Sequence, residues 1–250
     1  MENKNIDELR SLAEEGNADA MYFYARKKYY GTETEQNYKL AFEWYNKAME
    51  MGNYDAMYMT AFCLYKGRGC IQDFDKAFTI FNNLYNLEKK DDTLYMLGEC
   101  YYEGRGVSQD HNKSFNIFRE LVEDKKYNTA KYFYAMSYYY GYGIEPNCEK
   151  AFEIFNELVN ENDADFESKY MIGISYLDGI GIKQDYTKAF NIFKEIVEKY
   201  DDDDSRLCLA EMYYKGLGIE KNEEIAINYY NNLAEKGNIK AKEELKKINK

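Results

Sequence analysis

The sequence predicts an all-α chain built as an array of about six helix-turn-helix repeats with a capping helix at each end. Three observations carry this. A glycine recurs at Gly31, Gly67, Gly104, Gly141, Gly179 and Gly216, so the unit length stays between 36 and 38 residues. Apolar and small residues on either side of each glycine fall at helical spacing. The 250 residues contain a single proline, which suits a chain of helices because an interior proline costs about 3 kcal/mol. A periodic array grows without a new core, so one domain spanning 1–250 is expected, with a cap near 5–17, repeats over 18–238 and a second cap over 239–250.

The first helix of each unit ends at the glycine. Six residues before it stands a small side chain (Ala25, Ala61, Gly98, Ala135, Gly173, Ala210), and five residues earlier a second one (Ala20, Ala56, Thr93, Ala130, Ser168, Ser205). Bulk comes from Tyr24, Leu97, Tyr134, Ile172 and Leu209, with Thr60 a poor substitute. The turn follows, and its second glycine (Gly69, Gly106, Gly143, Gly181, Gly218) is replaced by Glu33 in the first unit. These glycines suit a tight connection; no strand precedes them and no GK[ST] follows, which excludes a phosphate-binding loop.

Six residues after each first glycine comes Asn37, Asp73, Asp110, Asn147, Asp185 or Asn222, an Asx column expected to cap the second helix. Three of the six are amides, which excludes a ladder of catalytic carboxylates. The second helix then carries a small residue (Ala41, Ala77, Ser114, Ala151, Ala189, Ala226) and, four later, an aromatic (Tyr45, Phe81, Phe118, Phe155, Phe193, Tyr230). That stripe reads as core. Junctions are Gly-Asn at 16–17, 52–53 and 237–238, suiting left-handed helix ends, and charged in the middle (LEKKDD, EDKKYN, NENDAD, EKYDDDD). The run Asp201 to Asp204 precedes a helix, whose positive end favours acid, so it reads as capping and not as a metal site. Ile6, Leu9, Leu12 and Ala13 would face inward from the first cap, and Ala241, Leu245 and Ile248 from the last.

Small-x-x-x-Leu-Gly-x-x-Tyr-x-x-Gly-x-Gly-apolar-x-x-Asp-x-x-Lys-Ala, met most fully over residues 93–114, resembles the Sel-1-like repeat family, a relative of the tetratricopeptide repeats. The Tyr of Tyr-x-x-Gly stands at Tyr101, Tyr138, Tyr176 and Tyr213, with Lys28 and Leu64 in the first two units. Lys76, Lys113, Lys150 and Lys188 fill the Lys-Ala element, with Leu40 and Ile225 at the outer units. The resemblance implies a right-handed α/α superhelix that serves as a scaffold or adaptor, binding a partner on its concave face.

Two positions seven apart on each first helix, about 20 degrees apart in azimuth, are tyrosine in most units. One row is Tyr22, Tyr58, Tyr95, Tyr132 and Tyr170; the other is Tyr29, Tyr65, Tyr102, Tyr139 and Tyr214. By analogy with tetratricopeptide repeats these rows line the concave surface, and Asp19, Asp55, Asp92, Glu167 and Asp204 begin it. One reading is a tyrosine-lined, acid-fringed groove for a protein or peptide of basic and apolar character. The other is that neighbouring first helices pack these rings as core.

A formal net charge of −12 argues against nucleic acid and anionic membrane as partners, both of which need a basic footprint. The charged start MENKNIDELR and the lack of a long apolar run read as a cytoplasmic protein with neither secretory signal nor membrane span. The five cysteines lack CxxC and histidine partners, so Cys63 and Cys100 read as apolar filler and no metal or other cofactor is expected. The resemblance raises one enzymatic alternative, since some secreted relatives have been linked to β-lactam binding or hydrolysis. Ser-x-x-Lys and a Cys/His pair are both missing, and the single histidine, His111, follows a helix cap. A non-enzyme is expected.

Overall fold

The computed structural model describes residues 1–161 and 166–248; the expected acidic junction at 162–165 lies outside the described residues. Among the described residues there are fourteen α-helices and no strand. They group into two compact units, Met1–Tyr127 and Asn128–Lys250. The first holds α1 (Ile6–Glu14), α2 (Ala18–Tyr30), α3 (Tyr38–Glu50), α4 (Tyr54–Lys66), α5 (Phe74–Glu88), α6 (Asp91–Glu103) and α7 (His111–Arg119), the last running into a single π-helical turn, Glu120–Asp124. The second holds α8 (Lys131–Tyr140), entered through a 3₁₀ turn at Asn128–Ala130, then α9 (Cys148–Glu161), α10 (Phe166–Asp178), α11 (Tyr186–Tyr200), α12 (Asp203–Lys215), α13 (Glu223–Glu235) and α14 (Ile239–Ile248). Within each unit consecutive helices pack as antiparallel hairpins, and α1 and α14 cover their neighbours as the capping pattern predicts.

The Asx column does what its spacing predicts. The side chains of Asn37, Asp73, Asp110, Asn147, Asp185 and Asn222 accept the backbone N–H three residues on, at 2.9 to 3.0 Å. At the other junctions Gly16, Gly52 and Gly237 take positive φ (95°, 84° and 98°), and the asparagine after each caps the next helix. Asp201 to Asp204 is likewise a junction: Asp201 ends α11 in the left-handed region, Asp202 caps α12 through the Ser205 N–H at 2.7 Å, and Asp203 takes Arg206 and Lys236.

The two turn glycines serve different ends. The first closes the helix in the left-handed region, as at Gly104 (φ 70°). The second is also a contact between repeats, because a Cβ on Gly106 would stand 2.0 Å from the carbonyl oxygen of Phe74, at the start of the preceding repeat's second helix. Glu33 takes the same positive φ (62°) in the first repeat.

The core follows the small and aromatic columns. Ala41, Ala77, Ser114, Ala151, Ala189 and Ala226 are fully buried, as are Tyr45, Phe81, Phe118, Phe155 and Phe193. Helical glycines Gly98 and Gly173 are small for a reason: a Cβ there would stand 2.7 Å from the rings of Phe118 and Phe193. Burying such a ring contributes about 1.5–3 kcal/mol. Cys63 and Cys100 are buried apolar filler, and burial pushes both thiols up to about 12.

Candidate partner-binding face

The first row of tyrosines repeats one pose. Each ring rests on the core aromatic of its own hairpin's second helix, with centroid separations of 5.9 Å (Tyr22–Tyr45), 5.6 Å (Tyr58–Phe81), 6.1 Å (Tyr95–Phe118), 6.0 Å (Tyr132–Phe155) and 5.7 Å (Tyr170–Phe193). All five are half-buried, and four have a second ring neighbour: Phe23 for Tyr22, Phe62 for Tyr58, Tyr127 for Tyr95 and Phe133 for Tyr132. Burial, as the largest cause, holds the hydroxyls of Tyr22, Tyr58, Tyr95 and Tyr170 above the usual phenol range.

The second row divides. Tyr29 and Tyr65 are 2% and 1% exposed, so for these two the core reading is the one the fold realises, and their rings offer no contact area. Their hydroxyls are held from the following repeat: the Arg68 guanidinium donates to Tyr29 Oη at 2.5 Å and that of Arg105 to Tyr65 Oη at 3.0 Å. Tyr102, Tyr139 and Tyr214 are half-buried. The Tyr102 ring meets His111 edge-on at 5.7 Å, the Lys221 ammonium stands 5.6 Å over Tyr214, and burial followed by Tyr140 and Asp178 pushes the Tyr139 hydroxyl up to about 12.

In the first unit the acidic fringe is engaged between repeats. Asp19 accepts from Asn53 at 2.8 Å, Asp55 from Lys90 at 3.0 Å, and Asp92 from the Tyr127 hydroxyl at 2.5 Å. These carboxylates therefore fix the stacking of successive first helices as well as setting the sign of the surface.

Three exposed tyrosines on the same helices escaped the column pattern: Tyr30 (59%), Tyr54 (41%) and Tyr140 (50%). Tyr30 and Tyr140 directly precede the first turn glycine, where the other repeats carry Lys66, Glu103, Asp178 and Lys215. A position that alternates between aromatic and charged residues is not core, and that irregularity was the available signal. Among the described residues no group of three or more His, Cys, Asp or Glu side chains is placed to hold a metal ion, and no helix is long and apolar enough to cross a membrane.

The Sel1 repeat family model matches residues 18–53, 55–82, 92–122, 129–163, 167–199 and 206–238. None of the curated proteins matches the chain. Among solved structures it is similar to c5321, a protective antigen of uropathogenic Escherichia coli displaying an SLR fold, with a TM-score of 0.70 and 25% identity over 96% of this chain and 50% of that one. It is similar also to a Sel1 repeat protein from Oxalobacter formigenes, with a TM-score of 0.68 and 22% identity over 85% of this chain and 83% of that one. The chain thus spans about half the length of the c5321 chain.

Proposed function

Because the chain belongs to the Sel1 repeat family, whose members are generally non-catalytic protein-interaction scaffolds, we propose that it is itself a non-enzymatic scaffold or adaptor. Its partner is a protein segment, held on the tyrosine-lined surface that the first helices present within each unit. The observation that carries this reading is the repeated pose of Tyr22, Tyr58, Tyr95, Tyr132 and Tyr170, each backed by a buried aromatic while remaining itself only half-buried. A ring already ordered by its own core loses little freedom on binding, so its contact area converts to affinity at low entropic cost. The exposed Tyr30, Tyr54 and Tyr140 add contact area beside the rows. A net charge of −12 favours a segment with basic residues and disfavours nucleic acid or anionic lipid.

The test is affinity capture from an extract with wild type, with Tyr30→Ser/Tyr140→Ser, and with Asn82→Ser on the exposed side of α5 as a control. All three positions are exposed, so stability should stay within about 0.5 kcal/mol. The tyrosine double variant should lose the proteins that wild type and the α5 variant both retain. Equal recovery by all three would refute the assignment of the face.

A further inference from the structure

Within the Met1–Tyr127 unit the tyrosine face holds a cavity of about 420 Å³ lined by Tyr22, Tyr30, Tyr54 and Tyr58 together with Met59 and Leu84. Its size lies within the range of about 300–1,000 Å³ usual for small-ligand pockets. Two of the rings are fixed from behind, Tyr22 by Phe23 and Tyr45, and Tyr58 by Phe81 and by a stacked Phe62. Tyr30 and Tyr54 form exposed lips.

Charge in the same walls has one sign in excess. The carboxylates are Asp55, Glu88 and Asp92, and the cations are Arg26 and Lys90. Arg26 is already matched by Glu2 at 2.9 Å. Lys90 alone serves two carboxylates, at 3.0 Å from Asp55 and 2.9 Å from Glu88, which shows that a cation fits between them. Among the described residues no cation pairs with Asp92, whose bond is to the neutral Tyr127 hydroxyl. The tyrosines register this field: after burial, Asp55 is the next cause holding the Tyr22 hydroxyl up, and Asp92 the next for Tyr58.

A recess with four tyrosines in its walls and more carboxylates than cations disfavours anions and gives a neutral apolar group no match for the acids. A cationic side chain satisfies both features. Arginine suits it better than lysine. Its flat guanidinium stacks on a ring while its fork of donors reaches carboxylates, whereas the compact ammonium that lysine would bring is already supplied by Lys90.

We infer that this recess is the anchor subsite of the partner-binding face and takes an arginine side chain of the partner, stacked against Tyr22 and Tyr58 and paired with Asp55, Glu88 and Asp92 in place of the Lys90 ammonium. The inference rests on the scaffold reading above and names the chemistry that face selects. It makes one counterintuitive demand: removing Lys90 must improve binding, because it clears a competing cation from two carboxylates.

The probe is the peptide acetyl-Gly-Gly-Arg-Gly-Gly-amide, titrated against the full chain at low salt while the ring resonances of selectively labelled tyrosine are followed by NMR. Its counterpart with citrulline, which keeps the shape and loses the charge, is the control. Saturable shifts confined to Tyr22, Tyr30, Tyr54 and Tyr58 are expected with arginine and not with citrulline. Asp55→Asn/Asp92→Asn should weaken the arginine peptide roughly tenfold, and Lys90→Ala should tighten it about threefold to tenfold, the scale of single exposed charge and cation–π contacts. Equal binding of the citrulline peptide, or weaker binding by Lys90→Ala, overturns the subsite, and these arms hold even should the double aspartate variant fail to fold. If the arginine peptide does not bind while capture still depends on Tyr30 and Tyr140, the subsite falls and the scaffold reading stands. If it binds as expected while capture is indifferent to those tyrosines, the subsite stands without the wider face.

Discussion

Glu99 lies on α6 one turn beyond Tyr95, and burial raises its carboxyl above the ordinary carboxylate range, outweighing the pull of Lys66 and Arg105 in the opposite direction. A raised folded-state pKa means that the folded chain holds the proton more tightly than the unfolded one. The stabilising contribution is complete below the unfolded value, about 4.3, and is lost as pH rises through the folded value. At neutral pH the ionised side chain is a cost. Glu99→Gln should therefore raise the melting temperature at pH 7, with the gain shrinking to nothing as pH falls below about 4. A gain that is the same at both pH values, or a loss at pH 7, would show that burial does not control this group. The same column holds Arg26, Phe62, Met136, Ile174 and Glu211, so no periodic signal marked Glu99, and its environment becomes apparent only when neighbouring helices are in place. Gly106 makes the complementary point. Its recurrence was plain in the sequence, but the reason for it, a Phe74 carbonyl 2.0 Å from where its Cβ would be, belongs to the stacking of one repeat on the next.

Between elements, the clearest device is the pair of arginine–tyrosine clasps, Arg68 to Tyr29 and Arg105 to Tyr65, each tying a turn to the first helix of the preceding repeat. Each clasp is a charge-assisted bond to a hydroxyl whose ring is core, and the guanidinium carbons stand 5.7 Å and 5.4 Å over those same rings. Breaking one should loosen the contact between two hairpins and leave each hairpin intact. A double-mutant cycle of Tyr29→Phe with Arg68→Ala, read by urea unfolding, should give a coupling energy of about 1 kcal/mol. Coupling indistinguishable from zero would reduce the clasp to a surface contact. The elements themselves were legible: the Asx column caps all six second helices, and the small and aromatic columns form the core. The clasps were not, because Tyr29 and Arg68 are 39 residues apart and the arginine column otherwise reads Thr32, Tyr142, Ile180 and Leu217. Azimuth on one helix placed both tyrosine rows on one face. It could not show that Tyr29 and Tyr65 are buried with an arginine of the following repeat on their hydroxyls while the first row is half-buried.

Across the whole chain, stability in a repeat array is a sum of hairpin terms and nearest-neighbour terms, so it should follow how much each helix buries on its two sides. In the Met1–Tyr127 unit α1 buries Leu9 and Ala13, whereas α4 buries six residues including Tyr65 and Cys63. In the Asn128–Lys250 unit α14 buries only Ala241, whereas α12 buries Ser205, Leu209, Ala210 and Met212. Local opening draws on these differences, with free energies from about zero at weakly packed segments up to the global value. Amide hydrogen exchange followed by mass spectrometry should therefore find α14 exchanging well before α12, and α1 before α4. Uniform protection through each unit would instead mean that each opens as one cooperative block, and the additive picture would fail. The outcome bears on recognition. Tyr58 and Tyr95 ride on α4 and α6, which bury six residues each, so slow exchange there would mean that these rings are held in position before any partner arrives.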